Sequence, residues 1–298
     1  MSQVTKHPAA EVVVDIETVR ALLRVQHPDL ADLPLQETAA GWDNFIFRLG
    51  DGMSVRLPRR LASVAMLEHE QRWLPAIAPQ LPIPVPAPLR IGKPSRQYPW
   101  PWSIAPWLSG ETADLAPLRP NQAKPLARFL RALHVVAPAD APKNPSRGVP
   151  LQQRATAVEE RMSRLAQKTS LVTSTVTKVW ESALQASPAE LATWFHGDLH
   201  PQNVLVEDGE LTGVIDWADI AAGDSATDLA SIWMLLPTVA ARETAIAQYG
   251  SVSSATWSRA LGWAVNFGTL LFETGLVDNP RHAAIGQLTL QRIKEGPH

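Results

Sequence analysis

Short apolar runs separated by polar turns fill the first third of the chain, and helical patterns follow them. One apolar run covers residues 45–49, another covers 54–57, and Gly50-Asp51-Gly52 lies between them. Two β-type runs joined by such a turn are typical of a hairpin. Residues 81–94 are too rich in proline for a helix. We expect an extended segment there, with the character of an edge strand.

Apolar residues at helical spacing predict one helix near the N-terminus and a mostly helical chain after about residue 110. Four apolar residues between Ile16 and Leu23 recur on one helix face, and Asp15 before them is the candidate N-cap. Further helices are predicted around residues 61–74, 126–133, 152–167, 174–186, 229–236, 242–249 and 254–274. Gly275 is the candidate C-cap of the last of these helices.

The polar residues best suited to chemistry lie between Trp194 and Trp217, in WFHGDLHPQNVLVEDGELTGVIDW. Two apolar runs in this segment flank a glycine-containing turn, which predicts a second hairpin. Because the strands of a hairpin run out and back, Asn203 and Asp216 return to the same end. Asp198 lies five residues before Asn203, so three oxygen-bearing side chains can converge.

Amide and carboxylate oxygens of the kind that Asn203 and Asp216 supply are hard ligands suited to Mg²⁺. Asp198 is then left to accept a proton or to orient a hydroxyl. Catalysis of phosphoryl transfer depends mostly on positioning and charge neutralisation. The three side chains therefore predict a phosphoryl-transfer site.

Three motifs carry a family resemblance. His196-Gly197-Asp198 followed by Asn203 keeps the spacing of the kinase catalytic loop H-R-D-x-x-x-x-N, with glycine in place of arginine. Ile215-Asp216-Trp217 stands where kinases have D-F-G, and GDSATDLA at residues 223–230 resembles a G-D-P-x-x-D-L-A segment. Together they resemble the aminoglycoside phosphotransferase and choline kinase-like family, protein-kinase-like small-molecule kinases that include macrolide phosphotransferases.

The resemblance implies an α+β, bilobal, protein-kinase-like fold. Residues 1–107 would form a small, β-rich, nucleotide-binding lobe. Residues 108–298 would form a larger helical lobe that carries catalysis and acceptor binding. His196 and Asp228 are expected to brace the catalytic loop through hydrogen bonds.

Six residues of the small lobe are expected at the nucleotide. Arg56 stands on the strand where protein kinases place a lysine, and Glu70 on the next helix is its expected partner. The strand position favours Arg56 over the other nearby arginines. The resemblance also implies that a short loop covers the nucleotide phosphates and that the backbone of the hinge binds the nucleotide base. Those roles fall to Gly41 and Asn44 for the phosphates, and to Ala105 and Trp107 for the base.

The expected cofactors are Mg²⁺ and either ATP or GTP as phosphoryl donor, and the expected partner is a small-molecule hydroxyl acceptor. An aminoglycoside or macrolide antibiotic is the first expectation, because of the resemblance. A metabolic alcohol or sugar, such as choline, is the alternative. The 11 Trp and the apolar C-terminal segments suit a bulky, weakly charged acceptor.

Composition removes several function classes. A formal net charge of −2 makes nucleic acid an unexpected partner. The absence of Cys excludes disulfides and thiolate chemistry and suits a cytoplasmic protein. Neither a signal peptide nor a membrane-spanning segment is expected.

Two rival interpretations stay open at this level. His196, Asp198 and His200 form H-x-D-x-H, which could hold a transition metal in a hydrolase, although no second histidine motif accompanies it. A kinase-like binding module without catalysis is the other rival. The presence of Asp198, Asn203 and Asp216 argues against that module.

Overall fold

The structure, a computed structural model, describes residues 9–38 and 41–296. The chain divides into two compact units, one that ends at Ser109 and one that begins at Gly110. We call them the small unit and the large unit. A β-sheet dominates the small unit and helices dominate the large unit. The predicted α+β class is therefore confirmed.

Five antiparallel strands form the sheet of the small unit, in the order β1-β2-β3-β5-β4. They are β1 (Leu35–Glu37), β2 (Asn44–Leu49), β3 (Met53–Pro58), β4 (Arg90–Gly92) and β5 (Trp102–Pro106). The predicted hairpin is β2–β3, and Gly50 at its turn has a φ of +57°. The proline-rich segment supplies β4 at the edge, where missing backbone donors cost least.

Two α-helices complete the small unit. Helix α1 (Ile16–Gln26) begins at its predicted N-cap, where the Asp15 carboxylate accepts a hydrogen bond from the Thr18 amide at 2.8 Å. The apolar face of α1 joins the buried core of β2, β3 and β5. Helix α2 (Val64–Ile77) begins at Val64 rather than at residue 61, because a 3-10 turn precedes it. Glu70 lies on its buried face.

The large unit contains eight α-helices and five short strands among its described residues. The helices are α3 (Ala123–Leu133), α4 (Ala155–Ala166), α5 (Ser174–Gln185), α6 (Ala226–Leu229), α7 (Ser231–Leu235), α8 (Val239–Tyr249), α9 (Ser254–Asp278) and α10 (Pro280–Glu295). The strands are β6 (Glu111–Thr112), β7 (Thr193–Phe195), β8 (Val204–Glu207), β9 (Glu210–Val214) and β10 (Ala221–Gly223). The order β6-β8-β9 contains the second predicted hairpin, and β7 pairs with β10.

Helix α9 is the central helix of the large unit and packs against α4, α5, α6 and α10. It continues through Gly275 to Asp278, so the predicted C-cap at Gly275 is wrong. A Cβ added to Gly275 would lie 2.1 Å from the backbone nitrogen of Ala283 in α10. Glycine is needed there for close helix packing. In the described chain, the segment Ser254–Val277 is long and apolar enough to cross a membrane, but 72% of its apolar window is buried within the protein.

Candidate active site

The loop between β7 and β8 carries Asp198 and begins at a glycine that no other residue type can replace easily. Gly197 has a φ of +91°, and a Cβ on it would lie 3.0 Å from both Asp219 and Phe195. Glycine adopts this left-handed backbone without steric cost. The arginine of the kinase motif has no room at this position.

The β8–β9 hairpin brings Asn203 and Asp216 to the same end. Val204 pairs with Val214, and the Ile215 amide donates to the Asn203 carbonyl at 2.9 Å. The residues that follow this last hydrogen bond are therefore held beside the start of β8. The convergence rests on the local pairing register, which is why the sequence could predict it.

The side-chain amide of Asn203 has a fixed orientation. Its Nδ2 donates to the Asp198 carbonyl at 2.9 Å and lies 3.3 Å from Asp198 Oδ2. Because Nδ2 of Asn203 faces Asp198, the amide oxygen Oδ1 is directed away from Asp198. Asn203 is 7% exposed, so neighbouring groups hold this orientation in place.

Asp216 adopts a backbone conformation that is unusual for a residue with a side chain, with a φ of +62°. Such a conformation costs on the order of 1–3 kcal/mol and persists only where the surroundings impose it. The next residue, Trp217, is fully buried, and its indole Nε1 donates to the Val214 carbonyl at 3.0 Å. The anchored Trp217 leaves the Asp216 side chain exposed at the surface of the large unit.

The oxygen atoms of Asn203 and Asp216 fit Mg²⁺. One carboxylate and one amide oxygen, with substrate phosphates and water, make the ligand set that this cation prefers. Within the described ranges, no group of three or more His, Cys, Asp and Glu side chains is placed to hold a metal ion. A magnesium site here would depend on the nucleotide phosphates for its remaining ligands.

Asp198 lies between two basic side chains. His200 Nε2 is 3.3 Å from Oδ2 of Asp198, and Arg147 Nη2 is 3.5 Å from Oδ1. Burial alone would raise the pKa of Asp198, but His200 first and Arg147 next hold it well below its usual range. Burial likewise opposes the charge on His200, yet Asp198 raises the pKa of that imidazole. Asp198 is therefore a carboxylate across the neutral pH range.

Asp228 and His196 tie the catalytic loop to the rest of the large unit. The Asp228 carboxylate accepts hydrogen bonds from the backbone amides of His196 and Gly197 at 2.6 and 2.9 Å. The His196 ring accepts from the Asp198 amide at Nδ1 and donates from Nε2 to the Ile215 carbonyl, at 3.2 and 2.9 Å. The ring thus connects the loop that carries Asp198 with the segment that carries Asp216.

The use of both ring nitrogens of His196 overturns the metal-hydrolase alternative. Neither nitrogen has a lone pair left for a metal, because one accepts a hydrogen bond and the other carries a proton. His200 Nδ1 is also occupied, since it accepts from the Gln202 amide at 3.2 Å. H-x-D-x-H is therefore a structural feature of this loop.

The sequence analysis assigned no role in the site to two polar residues around the loop, His134 and Asp219. His134 lies with Nε2 3.4 Å from Asp228 Oδ2 and Nδ1 2.9 Å from the Tyr249 hydroxyl. Asp219 accepts a hydrogen bond from Asn144 Nδ2 at 2.6 Å. Burial and then the Asp198 charge raise the pKa of Asp219. The one sequence feature that could have identified Asp219 is its position three residues after Asp216.

In the small unit, Arg56 forms an ion pair with Glu70 at 2.5 Å, and both side chains are buried. The three neighbouring arginines have other contacts. Arg60 pairs with Asp43 at 2.9 Å, Arg59 donates to the Gly41 carbonyl, and the Arg48 guanidinium lies over the Trp107 ring. Arg56 is thus the arginine that pairs with the acid on α2.

Two predicted nucleotide contacts are already engaged within the small unit. The Gly41 amide donates to the Asn44 carbonyl at 3.0 Å, and the Trp107 amide donates to the Gly52 carbonyl at 2.9 Å. Neither amide is available to a nucleotide in this conformation. Ala105 pairs with Ser54 in the sheet, and Asn44 is buried at the start of β2. The roles predicted for these four residues stay predictions.

Comparison with known proteins places this geometry in a family. A model of the phosphotransferase enzyme family matches residues 34–263. The GDP complex of aminoglycoside 2'-phosphotransferase-IIIa superposes with a TM-score of 0.66 and 17% identity, over 95% of this chain and 99% of that chain. Macrolide 2'-phosphotransferase MphH from Brachybacterium faecium gives a TM-score of 0.60 and 23% identity, over 95% and 99%. No curated protein matches the sequence.

Proposed function

Because the chain belongs to the phosphotransferase enzyme family, we propose that it transfers the γ-phosphoryl group of a magnesium-bound nucleotide to a hydroxyl of a small molecule. The predicted kinase-like fold is confirmed by the superpositions. One observation carries the proposal more than any other. Asp198 and Asn203 are hydrogen-bonded together, and the β8–β9 pairing holds Asp216 at the same end.

Each residue has a separate part in the proposed reaction. Asp198, ionised and partly exposed, accepts the proton of the acceptor hydroxyl as the oxygen attacks phosphorus. Asn203 and Asp216 would hold Mg²⁺, which neutralises charge on the phosphates. His196 and Asp228 keep the loop in position through the backbone contacts described above. Arg56, oriented by Glu70, would meet the nucleotide phosphates.

The donor is ATP or GTP. Neighbouring structures were solved as a GDP complex and in an ADP-bound form. Adenine and guanine are both compatible with a hinge that recognises the nucleotide base through backbone groups. Parallel assays with the two nucleotides decide between them.

For the acceptor, the structural neighbours suggest an aminoglycoside or a macrolide, since those are the compounds in their names. One observation favours the alternative, a hydroxylated metabolite. The guanidinium of Arg147 is 3.5 Å from Asp198, so a positive charge stands where the acceptor hydroxyl must arrive. The Arg147 charge weakens the attraction that the Asp198 carboxylate would offer a polycation at this point.

A nucleotide-consumption assay with Mg·ATP and Mg·GTP tests the reaction class. The acceptor panel should contain aminoglycosides, macrolides, choline, neutral sugars and sugar acids. Asp198→Asn removes the proton acceptor and should lower kcat by about 10²–10⁴-fold. Asp208→Asn makes the same chemical change at the exposed hairpin turn and should retain full activity. Equal activity of the two variants would refute the role of Asp198.

A further inference from the structure

The loop before α4 delivers Arg147 to the catalytic carboxylate through a defined set of contacts. Asn144 Oδ1 accepts hydrogen bonds from the backbone amides of Ser146 and Arg147 at 2.9 and 3.0 Å. Its Nδ2 donates to Asp219 at 2.6 Å, which ties the turn to the segment after β9. The guanidinium of Arg147 lies 4.8 Å from the centre of the Phe267 ring. The turn at Asn144 and the Phe267 ring thus hold Arg147 from two sides.

Two more arginines extend the positive charge, Arg154 directly before α4 and Arg161 within it. Arg161 is 6% exposed, and its Nη1 approaches Thr269 Oγ1 and Asn266 Oδ1 at 3.2 and 3.4 Å. Burial lowers the pKa of Arg161, Glu273 opposes this, and the charges of Arg154, Arg164 and Arg147 lower it further. Arg147 and Arg161 contact the same stretch of α9, at Phe267 and at Asn266 and Thr269, and Arg154 precedes Arg161 by seven residues, about two helical turns.

Hydrogen-bond donors outnumber acceptors in this cluster. Arg147 Nε, Arg154 Nε and Asn266 Nδ2 are buried and have no hydrogen-bond partner in the described part of the chain. Glu273 binds mainly to Arg164, through two hydrogen bonds of 2.7 and 3.0 Å. It lies 3.7 Å from Arg161. An incoming anion would satisfy such unpaired buried donors, two of which belong to cationic guanidinium groups.

The two oxygens of Asp198 differ in their surroundings. Oδ2 faces both His200 Nε2 and Asn203 Nδ2 at 3.3 Å. Oδ1 has Arg147 at 3.5 Å, a distance too long for a strong hydrogen bond. An acceptor hydroxyl that donates to Asp198 is therefore best placed at Oδ1. The body of that acceptor then lies next to Arg147.

We propose that Arg147, Arg154 and Arg161 form a subsite for an anionic group of the acceptor, a carboxylate or a phosphate ester, while its hydroxyl meets Asp198. The proposal rests on the phosphotransferase function and narrows the acceptor to a hydroxylated acid or a phosphorylated alcohol. Arg147 has two parts in this subsite, since it also neutralises the carboxylate that takes the proton. Polycationic acceptors are disfavoured by the same three charges.

Anion binding can be measured without turnover, so failure of this subsite is distinguishable from failure of the proposed reaction. Sulfate is titrated by calorimetry at constant ionic strength, with Mg·ADP present to occupy the nucleotide site. We expect saturable binding that Arg154→Gln weakens by roughly tenfold to a hundredfold, the usual effect of losing one charge-assisted hydrogen bond. Arg128→Gln, an exposed position on α3, is the matched control and should bind sulfate like the wild type.

Arg161→Met should weaken sulfate binding in the same way, and circular dichroism establishes whether this buried variant is folded. Absence of saturable sulfate binding to the wild type would overturn the subsite. Equal affinity of Arg154→Gln and Arg128→Gln would also overturn it.

Turnover then tests what the subsite does. Glucose, gluconate and glucose 6-phosphate supply a neutral, a carboxylate and a phosphate probe on one scaffold, and kanamycin supplies a polycation. We expect one of the two anionic probes to give the highest kcat/KM of the four acceptors. The preferred probe then identifies the anionic group as a carboxylate or a phosphate ester. Arg154→Gln should raise KM for that acceptor by about tenfold or more with little change in kcat. Preference for kanamycin, or a KM that Arg154→Gln leaves unchanged, would contradict the proposal.

Discussion

At the scale of single residues, two basic neighbours determine the protonation state of Asp198. Catalytic bases work best when their pKa lies near the working pH, yet Asp198 is held far below its usual range by His200 and Arg147. A weak base suits a reaction in which the hydroxyl proton leaves late. Asp198 then mainly orients the hydroxyl and takes its proton once the new bond is forming.

This charge arrangement predicts a pH effect for His200→Gln. Removing His200 takes away the largest influence that lowers the pKa of Asp198, so that pKa should rise. Because the base works only when ionised, the acid limb of the kcat/KM profile should move to higher pH. The measurement is kcat/KM from pH 4 to 9, where the wild type should show no acid limb and His200→Gln should lose activity toward pH 4, with His69→Gln on α2 of the small unit as control. A His200→Gln profile like that of the wild type would show that His200 does not influence the base.

At the scale of secondary structure, the sequence predicted those elements whose determinants are local. Asp15 capped α1, and the Gly50 and Asp208-Gly209 turns formed hairpins, because neighbouring residues decide these features. Gly275 shows the opposite case. Its sequence context resembles a helix end, but contact with α10, which approaches from another part of the chain, decides its role.

Gly275→Ala separates these two explanations. Alanine should favour an isolated helix by about 1 kcal/mol, but here its Cβ would meet the α10 backbone. We expect a net loss of about 1–3 kcal/mol in the free energy of unfolding, as in other overpacked interiors. Urea denaturation measures it. Gly52→Ala, where a Cβ meets nothing within 4 Å, is the control. A more stable Gly275→Ala variant would mean that α10 can move away.

The difference between local and long-range determinants also explains which parts of the candidate site the sequence could predict. Asp198, Asn203 and Asp216 lie within one hairpin and the loop before it, so spacing alone predicted that they converge. Arg147 reaches Asp198 only because α9 and the segment after β9 support the loop that carries it. A long-range placement of this kind leaves no periodic or motif signal in a single sequence.

At the scale of the whole molecule, the cation is expected to serve catalysis and to leave the fold unaffected. Asn203 and Asp216 would supply two of its ligands, and the nucleotide phosphates and water would supply the others. EDTA should therefore abolish turnover and leave the melting temperature of the nucleotide-free protein nearly unchanged. Added Mg²⁺ should restore activity.

Nucleotide binding, by contrast, should raise the stability of the protein in a way that depends on Mg²⁺. Mg·ADP at 100 times its Kd should stabilise the protein by about 2.7 kcal/mol, and EDTA should remove much of this gain. Differential scanning calorimetry with and without EDTA makes the comparison. Unfolding of the nucleotide-free protein by EDTA would reveal a structural metal.

The left-handed backbone of Asp216 limits which sequences this position can accept, independently of catalysis. Glycine reaches such a φ without steric cost, and Asn and Asp reach it more readily than most other residues, whereas β-branched residues are strongly disfavoured. In a saturation library at position 216 scored for cellular abundance, Gly and Asn variants should accumulate above Ala, and Val and Ile should be depleted. Asn is thus the substitution that removes the charge and preserves the chain path. Inactive relatives of this enzyme would be expected to drift toward Asn or Gly at the same place.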